Sequence, residues 1–286
     1  MAVPKIHLHA RSNSLPSRPH PVISQLDEHV GRIKDSQATS MSTSIGQKLC
    51  GLQDLYDSVD DLLLLPATKK VLMQERHKKY IDGFLDGSLR ILDVCNTVKD
   101  ALSQTKESIN GLQSVIRRRQ GGLDSEIRQY ISERKVVKKA ICKTLKNLKG
   151  MVSNCTFISV EEVSEIANII SLLRDVEETT LVVLEFLLSF ISVSKPQSRA
   201  RSWLLVRLMR YKRVASLEED NEFASADAAL ESLISSKASK TDKFQVEVAK
   251  HQLKSTESCI QDLEEHIEGL FRRMIKARVS FLNIFN

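Results

Sequence analysis

Apolar residues recur at three- and four-residue steps through most of the chain, which is the period of an amphipathic α-helix. The longest regular series lies near the C-terminus and consists of Leu253, Thr256, Ile260, Leu263, Ile267, Leu270, Met274, Ala277, Phe281 and Ile284. This spacing is typical of a helix that packs along a coiled-coil seam. We expect its partner helices to come from the same chain, and a dimer zipper is the alternative.

The same period predicts further helices. A short helix carries Val22, Ile23, Leu26, Val30 and Ile33, and the next runs from about Ser44 to Pro66 with its last four leucines in the core. A long helix covers residues 78–119, Gly121-Gly122 breaks it, and a helix over 123–150 turns back. Ser159 and Glu162 form a capping box for a helix that ends near Val193.

No alternating apolar run bounded by turn residues indicates a strand. We therefore predict an all-α fold, a long antiparallel helical bundle with coiled-coil-like packing and a disordered N-terminal tail. Four of the six prolines fall in residues 1–21, which we assign to the tail. Residues 22–286 form a single helical-bundle domain with flexible connections near 34–44 and 214–241.

Composition excludes several classes of protein. The five cysteines are scattered without a CxxC pair, which indicates a reducing compartment, and no signal peptide is apparent. We expect an intracellular, cytoplasmic protein, with the plastid as an alternative because the first residues are basic and serine-rich. The apolar run from Leu181 to Val193 has 13 residues and includes Glu185, too short to span a bilayer.

No motif for a phosphate loop, dinucleotide site, nucleophile elbow or metal centre is present, so we predict no cofactor, no metal and no enzymatic activity. His7 and His9 have no carboxylate or cysteine nearby in the tail to complete a metal site. An enzyme whose site is assembled from distant helices is the lower alternative. The expected function is contact with protein partners.

Two basic segments are candidate contact regions in a chain of net charge +6. The first is a helical face opposite an apolar stripe and consists of Arg128, Lys135, Lys139, Lys143 and Lys146. It is either a solvated face or a contact for an acidic protein or phospholipid headgroups; nucleic acid is disfavoured because stacking aromatics are missing.

The second segment, residues 195–213, has seven Lys or Arg and no acid. Its candidate membrane or partner contacts are Trp203, Arg207, Arg210 and Arg213. Docking of this segment against the bundle is the alternative, and self-association of the chain also stays open.

The tail contains Arg11, Ser14 and Pro16 in the R-S-x-S-x-P form of a phosphopeptide ligand for 14-3-3 proteins. Phosphorylated Ser14 would offer a charge of about −1.5 to −2 and three acceptor oxygens to an arginine cluster in the partner. A chance match in a Ser/Pro/Arg-rich tail, or a transit peptide, is the alternative.

Four stretches resemble the plant-specific BYPASS-like family. They are RSNSLPSRPHP at Arg11 to Pro21, GLQDLYDSVDDLLLLP at Gly51 to Pro66, DGSLRILDVCNTVKDALSQ at Asp86 to Gln104, and LFRRMIKARVSFLNIFN at Leu270 to Asn286. The similarity covers most of the chain and is weaker over residues 155–240. It implies a role in root and shoot development or signalling in plant cells, and it supplies no catalytic residues.

Overall fold

The computed structural model describes residues 20–35, 41–73, 78–118, 122–155, 165–192, 221–235 and 243–284. Within these ranges the chain is almost entirely helical and contains no strand, which confirms the all-α prediction. The helices are α1 (Pro21–Asp35), α2 (Met41–Leu64), α3 (Pro66–Leu72), α4 (Lys78–Arg118), α5 (Leu123–Cys155), α6 (Glu165–Ser192), α7 (Glu222–Ser235) and α8 (Lys243–Leu282).

Helix α8 lies between α2 and α4. It runs parallel to α2, since Gln53 donates to the carbonyl of His266 at 2.8 Å and, further along both helices, Arg273 pairs with Asp57. It runs antiparallel to α4, where the rings of Phe84 and Phe281 stack at 4.7 Å. The whole predicted seam of α8 is buried. The regular spacing therefore marks an intramolecular packing face.

Helix α6 is enclosed by the rest of the bundle and contacts α1, α2, α4 and α5. From Thr179 to Ser192 nearly every residue is buried, so this mostly apolar half of the helix has no solvent-exposed face. A helix that is apolar all round belongs in a protein core or a membrane. Here it lies in the core, and none of the described helices has the length and apolarity needed to cross a bilayer.

The break between α4 and α5 falls where the glycine pair predicts it. Gly122 has a φ of 112°, a backbone conformation that side-chain-bearing residues rarely adopt. Gly121 lies outside the described residues. The two helices form an antiparallel hairpin, and α5 continues to Cys155, beyond the predicted end at Gly150.

The predictions for α2 need three corrections. The helix begins at Met41, so the polar connection is shorter than predicted, and Pro66 starts α3 because proline fits the first turn of a helix. Leu62 and Leu63 are fully buried, but Leu64 is 53% exposed. The four leucines are therefore not all core, since consecutive residues of a helix point to different sides.

The predicted flexible connection over 214–241 is wrong for residues 222–235, which form α7. Phe223, Ala226, Leu230 and Leu233 are buried and hold this helix against α8. Asn221 caps α7 by accepting a hydrogen bond from the Ala224 amide at 3.1 Å. The predicted capping box at Ser159 and Glu162 lies outside the described residues, and α6 is described from Glu165.

Candidate interaction surfaces

A polar cluster at the C-terminal end of α6 fixes the orientation of α5. Three residues one turn apart on α5, Tyr130, Arg134 and Lys138, all contact the carboxylate of Asp227 on α7. The distances from Asp227 oxygens are 2.9 Å to the Tyr130 hydroxyl, 3.3 Å to Arg134 Nε and 2.9 Å to Lys138 Nζ. We call these four residues the α5–α7 clamp.

Arg134 is the buried centre of the clamp, with 3% of its side chain exposed. Its guanidinium also donates to the carbonyl of Ile191 at 2.9 Å and lies 5.3 Å from the centre of the Phe223 ring. A cation beside the last carbonyls of a helix is stabilised by the helix dipole and satisfies carbonyls that have no partner within the helix. The clamp therefore joins α5, α6 and α7 through one charge.

The opposite side of α5 carries the predicted basic face. All five of its side chains, Arg128, Lys135, Lys139, Lys143 and Lys146, are exposed. In the described part of the chain none of them lies within salt-bridge distance of a carboxylate. The structure thus brings these residues together in one row that faces outward.

A second exposed surface, not predicted from the sequence, follows the outer edge of the α4–α8 contact. It is apolar and consists of Leu89 on α4 and Ile275, Val279 and Leu282 on α8, each between 40% and 48% exposed. We call it the α4–α8 strip. The i, i+4, i+7 spacing of the α8 residues is present in the sequence. The more regular series of seam residues in the same helix predicts its apolar face, so the second spacing was not recognised.

The backbone beneath the α4–α8 strip is held by specific contacts. Arg278 donates to the carbonyl of Leu85 and, at 2.6 Å, to the hydroxyl of Ser88. These contacts join the turn of α4 before Leu89 to the turn of α8 between Ile275 and Leu282. The strip is therefore a surface on two helices that are fixed to each other.

A groove of about 690 Å³ opens between α1–α2 and α8. Asp54, Asp262, Cys259 and Glu222 are among its lining residues. Burial raises the pKa of the Cys259 thiol to about 12, and the charges of Glu222 and Asp262 add to this effect. The thiol is protonated at neutral pH, whereas a nucleophilic cysteine needs a lowered pKa. Across the described ranges no group of three His, Cys, Asp or Glu residues is placed to hold a metal ion.

Helices α4 and α6 approach closely at Gly87. A Cβ atom at this position would collide with Oε1 of Glu177, so the absence of a side chain admits the carboxylate. Burial raises the pKa of Glu177 to about 7, although the nearby charges of Arg90 and Arg174 oppose the shift. Glu177 is thus a titratable group inside a helix contact.

The other predicted site residues lie outside the described part of the chain. These are Arg11, Ser14 and Pro16 of the 14-3-3 motif and Trp203, Arg207, Arg210 and Arg213 of the second basic segment. Their roles stay predictions.

The statistical model of a protein family described as Protein BPS1 matches residues 48–284. The chain belongs to the BPS1 family. The match covers most of the sequence and confirms the resemblance to BYPASS-like proteins. Comparison with curated proteins and with solved structures gives no significant match. The BPS1 match includes α3 to α8 and most of α2, so it covers both the basic face and the α4–α8 strip.

Proposed function

We propose that this BPS1-family protein is a non-enzymatic helical scaffold or regulator that acts through protein partners in plant root and shoot development. Family membership supports the developmental role. The α4–α8 strip supports the mode of action, because an exposed apolar surface is a common feature of protein interaction sites. It is the observation on which the proposal rests.

The position of the strip on two packed helices favours a helical partner segment. Two packed helices leave a shallow groove along their contact, and an amphipathic helix can lay its apolar face into such a groove. Leu89 belongs to α4 and Val279 to α8, and Arg278, next to Val279, contacts the turn of α4 before Leu89.

The test compares two sets of substitutions of the same chemical kind. The variant Ile275→Glu/Val279→Glu places two charges in the strip, and the control Phe244→Glu/Val248→Glu places two at the same i, i+4 spacing near the start of α8, at residues that are 71% and 38% exposed. Tagged proteins are purified from plant extract, and each captured partner is then tested with purified components. A partner whose affinity falls about 10- to 100-fold with the strip variant and stays unchanged with Phe244→Glu/Val248→Glu supports the proposal.

Equal binding by the two variants to every partner would contradict the proposed use of the strip. Light scattering of the purified wild-type protein tests whether a second copy of the chain covers the strip. A dimer that the strip variant converts to a monomer would mean that it does. Circular dichroism melting of both variants shows that they remain folded, because substitutions at exposed sites usually change stability by less than about 0.5 kcal/mol.

The 14-3-3 contact through phosphorylated Ser14 is a separate proposal about the tail. Tail peptides with Ser14 phosphorylated, unmodified and replaced by alanine would bind a 14-3-3 protein with clearly different affinities if the motif functions. Indistinguishable affinities would reject it.

A further inference from the structure

The basic face of α5 differs from the contact between α4 and α8, where cations are paired with carboxylates. On α4 and α8, cations pair with carboxylates across the helix contacts, as for Lys99 with Glu268 at 2.6 Å and Lys106 with Glu264 at 2.5 Å. The five cations of the basic face have no such partner among the described residues. Their charge is therefore directed to solvent or to a ligand outside the chain.

The basic face is long and continuous. At 1.5 Å per residue, Arg128 and Lys146 are about 27 Å apart along the helix. The acids nearest in sequence, Glu126 and Glu133, lie roughly 140–160° around the helix from Arg128. Asp124 lies one turn before Arg128, and Glu133, on another side of the helix, is the one acid in the sequence between Arg128 and Lys146.

The α5–α7 clamp keeps the row facing outward. Tyr130 and Arg134 are buried on the inner side of α5, and Lys138 is drawn toward Asp227. A rotation of α5 that hid the row would have to break these contacts. The cations are consequently arranged in advance of any binding event.

The residue types favour a membrane surface over a protein partner. Four of the five cations are lysines, no aromatic residue lies in the row, and Val136 is the one large apolar residue that is exposed among the described side chains of α5. Protein interfaces are enriched in aromatic residues and arginine and are depleted of lysine. Anionic headgroups instead attract a row of lysines without requiring a shaped pocket, with each lysine adding a similar increment of binding.

We propose that the basic face of α5, from Arg128 to Lys146, docks the protein on the surface of an anionic phospholipid membrane. The contact is electrostatic and peripheral. It involves headgroup phosphates and carboxylates and no inserted side chain. This contact is separate from the α4–α8 strip, so either surface can function if the other does not.

The full-length protein is tested by sedimentation with vesicles of phosphatidylcholine alone and of phosphatidylcholine with about 30% phosphatidylserine. We expect binding to the anionic vesicles, little binding to the neutral ones, and release when salt rises from about 0.1 to 0.5 M, because exposed charges are screened at high ionic strength. Lys139→Gln/Lys143→Gln should lower the partition coefficient about 30-fold, at roughly 5-fold for each lysine.

The control variant is Lys69→Gln/Lys70→Gln on α3, which removes the same net charge at another place. It should change binding several-fold less than Lys139→Gln/Lys143→Gln does. An equal loss in both variants, or no loss in either, would overturn the proposal, since binding would then depend on net charge or on another segment. Matching melting curves for the two variants establish that both are folded.

Two further arms separate the anion sources. Calorimetry with inorganic phosphate should show no saturable binding. Tight binding would mean that the basic face is a discrete phosphate site and would overturn the membrane proposal. An acidic peptide that binds in a Lys139- and Lys143-dependent way, together with no binding to anionic vesicles, would assign the basic face to an acidic protein and overturn the membrane proposal.

Discussion

Asp227 holds the α5–α7 clamp together, so Asp227→Ala should destabilise the protein far more than a substitution on the exposed side of the same helix. The carboxylate is 15% exposed and faces Arg134, which is 3% exposed. Without Asp227, Arg134 keeps the Ile191 carbonyl at 2.9 Å and the Thr105 hydroxyl at 3.4 Å but has no counter-charge. The buried cation is then incompletely compensated.

The expected loss is about 3–5 kcal/mol, the range for removing one partner of a buried ion pair. It corresponds to a fall in Tm of roughly 6–15 °C at about 2–3 °C per kcal/mol for a chain of this size. The matched control is Glu231→Ala, one turn further along α7 at an exposed position, which should stay within about 0.5 kcal/mol of wild type. Thermal melting followed by circular dichroism measures both.

A rescue variant checks the cause. Replacing Arg134 by methionine in the Asp227→Ala background removes the uncompensated charge, and part of the lost stability should return. Equal melting temperatures for Asp227→Ala and Glu231→Ala would refute the reasoning, because they would show that the clamp does not contribute to stability.

The clamp also has a pH signature. Burial by itself raises the pKa of Asp227, but the charges and hydrogen bonds of Arg134, Lys138 and Tyr130 outweigh it and lower the pKa below its usual range. A carboxylate with a lowered native pKa contributes stability above its unfolded pKa of about 3.9 and loses that contribution as the pH falls through the native value. The difference in stability between wild type and Asp227→Ala should therefore narrow in acid.

Two further substitutions test the packing faces. Ile267→Asp should lower the free energy of unfolding by several kcal/mol, since Ile267 is fully buried in the α8 seam. Glu265→Lys, at an exposed position, should change stability little, and equal denaturant midpoints for the two variants would show that the seam is not core. Glu177→Gln should stabilise the protein at pH 8 and make its stability depend less on pH. The carboxyl has a native pKa of about 7 and an unfolded pKa near 4.5, so the wild-type protein loses stability as the pH rises between these values. Urea titrations at pH 5 and pH 8 measure this, and a wild-type protein with the same stability at both would contradict the shift.

The sequence was informative where local periodicity determines the structure. The α8 seam repeats every three or four residues because one helix face packs against α2 and α4 over its whole length. Gly122 marks a turn because its φ of 112° disfavours side chains. These features depend on neighbouring residues, and the sequence displays them directly.

The features that the sequence did not reveal depend on contacts between distant residues. In the sequence, Arg134 looks like one more member of a basic helix. It becomes a buried ion-pair partner because folding brings it beside Asp227, which is 93 residues away in the chain. The α4–α8 strip was hidden for a related reason. Leu89 belongs to α4 and Ile275 to α8. The apolar spacing within either helix does not show that the two residues flank the same helix contact or that the outer edge of this contact is exposed.

The arrangement of the helices explains how one small bundle could engage two kinds of partner. Helix α4 packs against α5 on one side and α8 on another, so it stands between the basic face and the α4–α8 strip. Substitutions at sites that are well separated and share no partner act independently. A protein held at a membrane through α5 would therefore retain its strip affinity, and a strip partner would be recruited to that membrane without any change in either surface. The α5–α7 clamp and the Arg278 contacts to α4 hold the helices that carry the two surfaces in fixed positions, so each surface keeps its arrangement when the other is occupied.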